Sequence, residues 1–463
     1  MKKRLYLLIG VTLAALCAVV LLVGYFSAAA APADRIPIRW FVGLGTGSNP
    51  DQVLVQQQVV DTFNASQTAI SLTLEVYPYA EAANVLMQQL RTGNQPDIVG
   101  PVGINGANYF SSHWLDLSDI ISDTAYDLSD YDPSLMDLFS VGGSGVSGLP
   151  ISIYPSFIYY NGYLFNNASL AHPPHQYGQP YSDPIYGGAW NVDKLEEIAR
   201  LLTLDNIGRN ANDPFFDDDN IIQYGYLETY GQLTAQASLF GPGSFANTNG
   251  DAQIPLLWEQ AITWYYQGMW EDHFIPNYPN ANSYPGGNPF NDAKLAMSRA
   301  NSWFNCCVNN IGDFEIAATP SYSGSITANI DADTFRIIKY TQHPIEAFTV
   351  LDYLTSVAAP TLNGTYNGFP ARTSLRSGAL FSLHVRFPFA DWQVLLDSID
   401  YLDNPNHEGY LPNYAKAADR IQDFQDLYGN TPGLNIHNAL EDLKDDLQII
   451  FHERSIYLPW IVK

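Results

Sequence analysis

Basic residues are scarce in this chain: Lys and Arg number 21 against 47 Asp and Glu, a formal net charge of −26 at pH 7. A surface that acidic repels a phosphate backbone, which excludes nucleic-acid binding. Charge of either sign is also thin, 15% of residues, against roughly 25% in ordinary soluble domains, so the surface relies on Asn, Gln, Ser, Thr and Tyr, a balance that fits an exported protein. Cysteine is nearly absent, with three in all. Cys17 falls in an amino-terminal apolar run, and only the adjacent Cys306 and Cys307 remain, which excludes a disulfide scaffold. Their Cα atoms stand about 3.8 Å apart across a trans peptide, closer than the roughly 4.4–6.8 Å of an ordinary disulfide. Two thiols and a vicinal ring both stay open. Apolar residues are not lacking: hydrophobics make up 46% and aromatics 13%, which excludes disorder. At 463 residues the chain exceeds one ordinary core and implies two or three units.

The common catalytic signatures are missing too. No GxxxxGK[ST], HExxH, GxSxG or CxxC occurs, so phosphate-loop, zinc-protease, serine-hydrolase and dithiol chemistries have no motif to rest on. The GLGTGS run has Gly43, Gly45 and Ser48 where a dinucleotide fingerprint needs three glycines, and reads instead as a strand-end loop with free backbone N–H groups. The Asp213, Asp217, Asp218, Asp219 cluster fails as a calcium loop because the fifth position from Asp217 is Ile221. The nine histidines are scattered. No metal site and no cofactor is expected.

The amino terminus carries an address. Lys2, Lys3 and Arg4 precede an apolar run from Leu5 to Phe26, and Ser27 to Ala31 supply small residues before Pro32. Residues 1–31 therefore read as an export signal, either cleaved or kept as an anchor, since the run is long enough to span a bilayer. Leu16 before Cys17 argues against lipid attachment.

From Ile36 strands and helices alternate. Ile36 to Val42 reads as a strand, and Asn49 with Pro50 as a helix start. Val53, Val59, Val60 and Phe63 give that helix an apolar face; Ile70 to Val76 alternates as a strand, a helix covers about Ala80 to Arg91 and stops at Gly93, and Ile98 opens a third strand. The β-α-β-α-β order implies a mainly parallel sheet whose ligands sit beyond the carboxyl ends of its strands. Further helices are expected after Trp190 and Asn191, over Pro255 to Met269, and from Pro344 to Ser356, with strand character near Ile316.

Six segments in one order carry a resemblance. IPIRW with DTFNAS, LMQQLRTGNQPDIVG, GLPISIYPSFIYYNGYLF, HPPHQYGQPYSDPIYGGAWNVDKLEEIARLLT, FNDAKLAMSRANSW and HPIEAFTVLDYLTS together resemble the extracellular solute-binding proteins of carbohydrate ABC importers, the maltose-binding-protein-like family 1. Ala293 and Gly162 depart from its usual Gly and Lys. The resemblance implies an α/β, two-lobed periplasmic-binding-protein-like (type II) fold with a hinge and an interlobe cleft. It places lobe I at residues 36–152 plus 313–358 and lobe II at 157–308 plus 363–463, with crossings near Pro150 to Ser156, Asn305 to Asp313 and Ser356 to Asn363.

The same resemblance implies a non-catalytic, monomeric receptor outside the cytoplasm. It would take a neutral sugar or oligosaccharide, deliver it to the transmembrane permease of the importer, and touch the membrane only through an uncleaved amino-terminal segment. By position, Trp303 would stack on a sugar face and Tyr154 would face the ligand from the second lobe. Gly45, Thr46, Asn49, Gly103 and Asn105 would present strand-end loops, and Tyr410, Asn413 and Tyr414 a carboxyl-terminal contact loop. Asp97 reads as structural. Few Arg residues lie in these loops, which favours a neutral solute over an anion. The alternatives are a secreted carbohydrate-active hydrolase with paired carboxylates and a surface adhesion or sensor protein.

Overall fold

The computed structural model describes residues 35–139, 145–229, 231–284, 289–308 and 314–453. The export segment lies outside these residues. Among the described residues no helix is long and apolar enough to cross a membrane.

The opening of the chain folds as its pattern predicts. Strand β1 (Ile36–Val42) pairs in parallel with β2 (Ile70–Val76) and with β3 (Ile98–Val102). The connecting helices are Pro50–Ser66 and Tyr79–Thr92, the second ending on Gly93 in the left-handed region at φ 70°. Val59, Val60 and Phe63 are buried as expected, but Val53 is only half-buried. Gln56 is wholly buried instead, its amide donating to Gly47 O at 2.7 Å, so a polar side chain on the inner face ties the helix to the loop after β1. Asp97 joins elements: its oxygens accept from Arg39 N at 2.9 Å and Thr341 Oγ1 at 2.5 Å.

The centre of the molecule is β4 (Leu149–Asn161), buried along its whole length. Its first half, Leu149 to Pro155, pairs antiparallel with β9 (Ile330–Ile337), and β10 (Phe369–Pro370) adds at Ser152 and Ile153. Its second half pairs antiparallel with β7 (Leu295–Asn301) and β8 (Phe314–Ala317). Strand β6 (Ile221–Glu228) lies parallel to β7, with the two-residue β5 (Leu204–Asp205) outside it. The order is β2-β1-β3-β9-β4-β7-β6-β5.

Two lobes result. In the first, Ile38, Trp40, Ile98, Ile151 and Phe335 pack with Phe348, Leu351 and Leu354 of the helix Pro344–Thr355. In the second, Leu195 and Ile198 of the helix Val192–Leu202 and Trp258 and Tyr265 of the helix Leu256–Trp270 pack with Phe424, Leu440 and Leu443 of the last two helices, Tyr414–Asn430 and Ile436–His452.

Two of the expected crossings shift. The passage placed at Asn305 to Asp313 falls after Ala317, because β8 pairs with Ile158 to Asn161 on the second-lobe side; residues 309–313 lie outside the described chain. The passage placed at Ser356 to Asn363 comes after Pro370, because the helix Ala359–Tyr366 buries Ala359, Leu362 and Tyr366 in the first-lobe core. Cys306 and Cys307 form a vicinal disulfide, with Cys306 exposed and Cys307 half-buried.

Because β4 serves both half-sheets, truncating its middle removes packing from both. Phe157 is wholly buried among Ile153, Tyr159, Phe304 and Trp392. Phe157→Ala is expected to destabilise the protein by about 3–5 kcal/mol, read as a lowered urea midpoint for the whole chain rather than a separate early transition.

Candidate functional site

Loops from both lobes meet the crossing strands around a cleft of about 250 Å³. The first lobe contributes Leu44 to Thr46 after β1, Gly103 to Asn105 after β3, and Tyr79; the second contributes Gln232, Ala235, Asn301 and Trp303; Tyr154, Asp331, Asp333, His407 and Glu408 complete the lining. The cleft lies beyond the carboxyl ends of β1 and β3, where an open parallel sheet leaves a crevice.

The loop after β1 presses onto β9. A Cβ on Gly45 would stand 2.8 Å from Asp333 Oδ1 and 2.9 Å from both Gly103 N and Pro101 O, so only glycine lets the two strand-end loops approach. Thr46 Oγ1 donates to Asp333 Oδ2 at 2.7 Å, and the Tyr154 hydroxyl donates to the same oxygen at 3.1 Å. Burial pushes the Asp333 carboxyl above the usual carboxylate range, against the pull of these two donors.

The second lobe is tied to the crossing strands. Asn301 Nδ2 donates to Tyr154 O at 2.6 Å, and Trp303 Nε1 donates to Asp331 Oδ2 at 2.8 Å. Behind them the buried Arg299 pairs with Glu228 at 3.2 Å and donates to Ala235 O at 3.0 Å, which holds the segment carrying Ala235 against the cleft.

The remaining corner is built around Asp403. Its Oδ1 accepts from Ile330 N at 3.1 Å, and its Oδ2 accepts from His407 N and His407 Nδ1, both at 2.6 Å. His407 Nε2 then faces Asp331 Oδ1 at 3.7 Å. Burial alone would lower the His407 pKa, but Asp403 and its acidic neighbours outweigh it and hold the value up. Burial also raises the carboxyls of Asp331 and Glu408.

Of the residues expected at the site, Gly45, Thr46, Gly103, Asn105, Tyr154 and Trp303 come together along the cleft. Four do not line it. Asn49 caps the helix Pro50–Ser66, its N–H donating to Gln52 Oε1 at 3.4 Å. Asn413 Nδ2 donates to Ile450 O at 2.6 Å and Glu453 O at 3.0 Å, joining two helix ends. Tyr410 is exposed beside an adjoining cavity of about 90 Å³. Tyr414 donates its hydroxyl to Asn105 Oδ1 and links the lobes at the cleft margin.

Sequence reading missed Tyr79, Gln232, Asn301, Asp331, Asp333, His407 and Glu408. One signal was available: Asp331 and Asp333 alternate in a strand and share a face. His407 and Glu408 sit in a short Pro- and Asn-containing stretch with no spacing to betray them.

Two α/β lobes sharing one strand and lining a common cleft define the class of bilobal binding proteins. The family of bacterial extracellular solute-binding proteins matches residues 47–359, and the chain belongs to that family. Solved structures agree in fold at low identity. UspC of M. tuberculosis superposes with a TM-score of 0.68 at 16% identity, over 90% of this chain and 100% of its own. The sugar-binding protein MalE of Xanthomonas citri gives 0.68 at 13%, over 90% and 97%, and the cyclic alpha-maltosyl-1,6-maltose binding protein of Arthrobacter globiformis 0.66 at 14%, over 90% and 99%. No curated protein matches the chain.

Asp403 satisfies three donors at once, so removing its carboxylate leaves buried N–H groups unpaired. Asp403→Ala is expected to lower stability by at least about 2 kcal/mol, with the change visible as faster amide hydrogen exchange at Ile330 and His407.

Proposed function

We propose that this protein is an extracytoplasmic receptor that captures a neutral sugar or oligosaccharide between its lobes by hinge closure and hands it unaltered to the permease of an ATP-binding-cassette importer. The observation that carries this reading is the make-up of the cleft. Trp303, Tyr154 and Tyr79 offer aromatic surface for the apolar face of a sugar ring, while Thr46, Asn105, Asn301, Asp331 and Asp333 offer hydroxyl, amide and carboxylate partners for its hydroxyl groups. No Lys or Arg lies among the described residues lining the cleft, so an anionic solute would find no guanidinium fork or ammonium there, and the acids around His407 already claim its charge. Family membership and two structural neighbours described as sugar- or maltose-binding support the same reading.

Closure follows from the geometry. A solute touching Thr46 on one lobe and Trp303 on the other makes both contacts only when the lobes are together, so binding shifts the population toward the closed form. The permease then reads loaded from empty by shape. The protein acts as a monomer, and the amino-terminal segment tethers it if it is not removed. A hydrolase reading gains no support from the family match or from these structural neighbours.

A thermal-shift screen of mono-, di- and oligosaccharides tests this: at 100 times its dissociation constant a true ligand adds about 2.7 kcal/mol. Release of cleaved products, or no stabilisation by any sugar, would overturn the reading. With a ligand in hand, Trp303→Ala is expected to weaken binding at least about tenfold, roughly 1.4 kcal/mol, in titration calorimetry, with the fold retained by circular dichroism.

A further inference from the structure

We propose that Asp331, His407 and Glu408 form a binding site for a divalent transition-metal ion of the Zn²⁺ type at one corner of the cleft. One ligand atom from each side chain can be chosen so that all lie within 4.8 Å of one another, and His407 Nε2 to Asp331 Oδ1 is 3.7 Å. Zinc bonds of about 2.0–2.2 Å in tetrahedral geometry place neighbouring ligands about 3.4 Å apart, so small rotamer shifts bring the three atoms onto one ion.

The orientation of His407 is the second observation. Its side chain is 1% exposed, Asp403 accepts from Nδ1, and Nε2 is directed at the acids, within ion-pair distance of Asp331 Oδ1 and, among the described residues, without a hydrogen bond. A carboxylate behind an imidazole, fixing its ring and tautomer, is the usual outer support of a metal-bound histidine. Asp403 is itself fixed by two backbone N–H groups, so the imidazole is set before any ion arrives.

Charge balance points the same way. Asp331, Asp333 and Glu408 line the cleft and Asp403 lies behind them, with His407 the one basic side chain among them. Among the described residues Glu408 forms hydrogen bonds only through its backbone. Four carboxylates against one imidazole leave an excess of negative charge, which is costly where it is partly withdrawn from water, and a dication offsets that cost. One imidazole nitrogen with carboxylate oxygens suits Zn²⁺ or Mn²⁺ better than Ca²⁺ or Mg²⁺, which take oxygen ligands alone. Three protein ligands leave a further position, and all three line the cleft, so water or a solute hydroxyl completes the shell.

The test uses the full chain, stripped with a chelator and free of sugar, so its outcome is independent of the receptor reading. Calorimetric titration with Zn²⁺ is expected to show one equivalent bound, and both His407→Gln and Glu408→Gln should weaken it at least tenfold. Since His407 is packed against Asp403, Glu408→Gln serves as the variant that leaves the fold untouched, checked by circular dichroism. Co²⁺ in place of Zn²⁺ should give visible absorption bands that His407→Gln alters. Unchanged Zn²⁺ affinity in Glu408→Gln would overturn the proposal by placing the metal on the acidic surface. Stabilisation by glucosamine but not by Zn²⁺ would overturn it by assigning the charge deficit to a cationic solute.

Discussion

Everything in this molecule is referred to one strand. Over its 13 residues β4 is wholly buried, and it gives its backbone hydrogen bonds to two different half-sheets, β9 and β10 along its first half and β7 and β8 along its second. A strand can do this only if both of its faces are apolar and covered, and Ile151, Ile153, Phe157, Ile158 and Tyr159 satisfy that condition. The consequence is geometric. Two lobes that share a strand stay joined at one line, and the ends of their other strands open onto the same space.

Several of the polar atoms lining that space already have partners. Asp333 receives Thr46 and Tyr154, Asp331 receives Trp303, and Asp403 orders His407. Donors on both lobes converge on acids carried by the crossing strand β9, so the acids act as fixed points around which each lobe is positioned. A solute that exchanges these contacts for its own hydroxyl groups couples its binding to the spacing of the lobes. The tight fit of Gly45 over Asp333 and Gly103 keeps the first-lobe loop within reach of that exchange.

The local elements were legible because their signals are local. Period-two alternation in Ile70–Val76 and the Asn49–Pro50 start of the first helix mark their own boundaries, and Gly93 ends its helix because left-handed φ suits glycine best. Trp303 and Tyr154 are expected at the cleft from the order of motifs along the chain, and both line it. Nothing local marks Asp331 and His407, because what brings them together in the cleft is a 3.7 Å approach between positions far apart in the sequence. Tyr410 and Asn413 were read as contacts where the structure gives an exposed ring and a helix tie, since a polar loop carries the same composition in either role.

By itself the sequence determined an acidic α/β chain of more than one unit, for those properties follow from composition, length and the periodicity of neighbouring residues. Only the tertiary structure decided where the chain passes between lobes and which side chains share the cleft. β8 joined the second lobe, and the helix Ala359–Tyr366 the first, through pairing and burial choices set by partners elsewhere in the chain. Strand partners and buried charges are fixed by long-range packing, and no window of sequence contains both sides of such a contact.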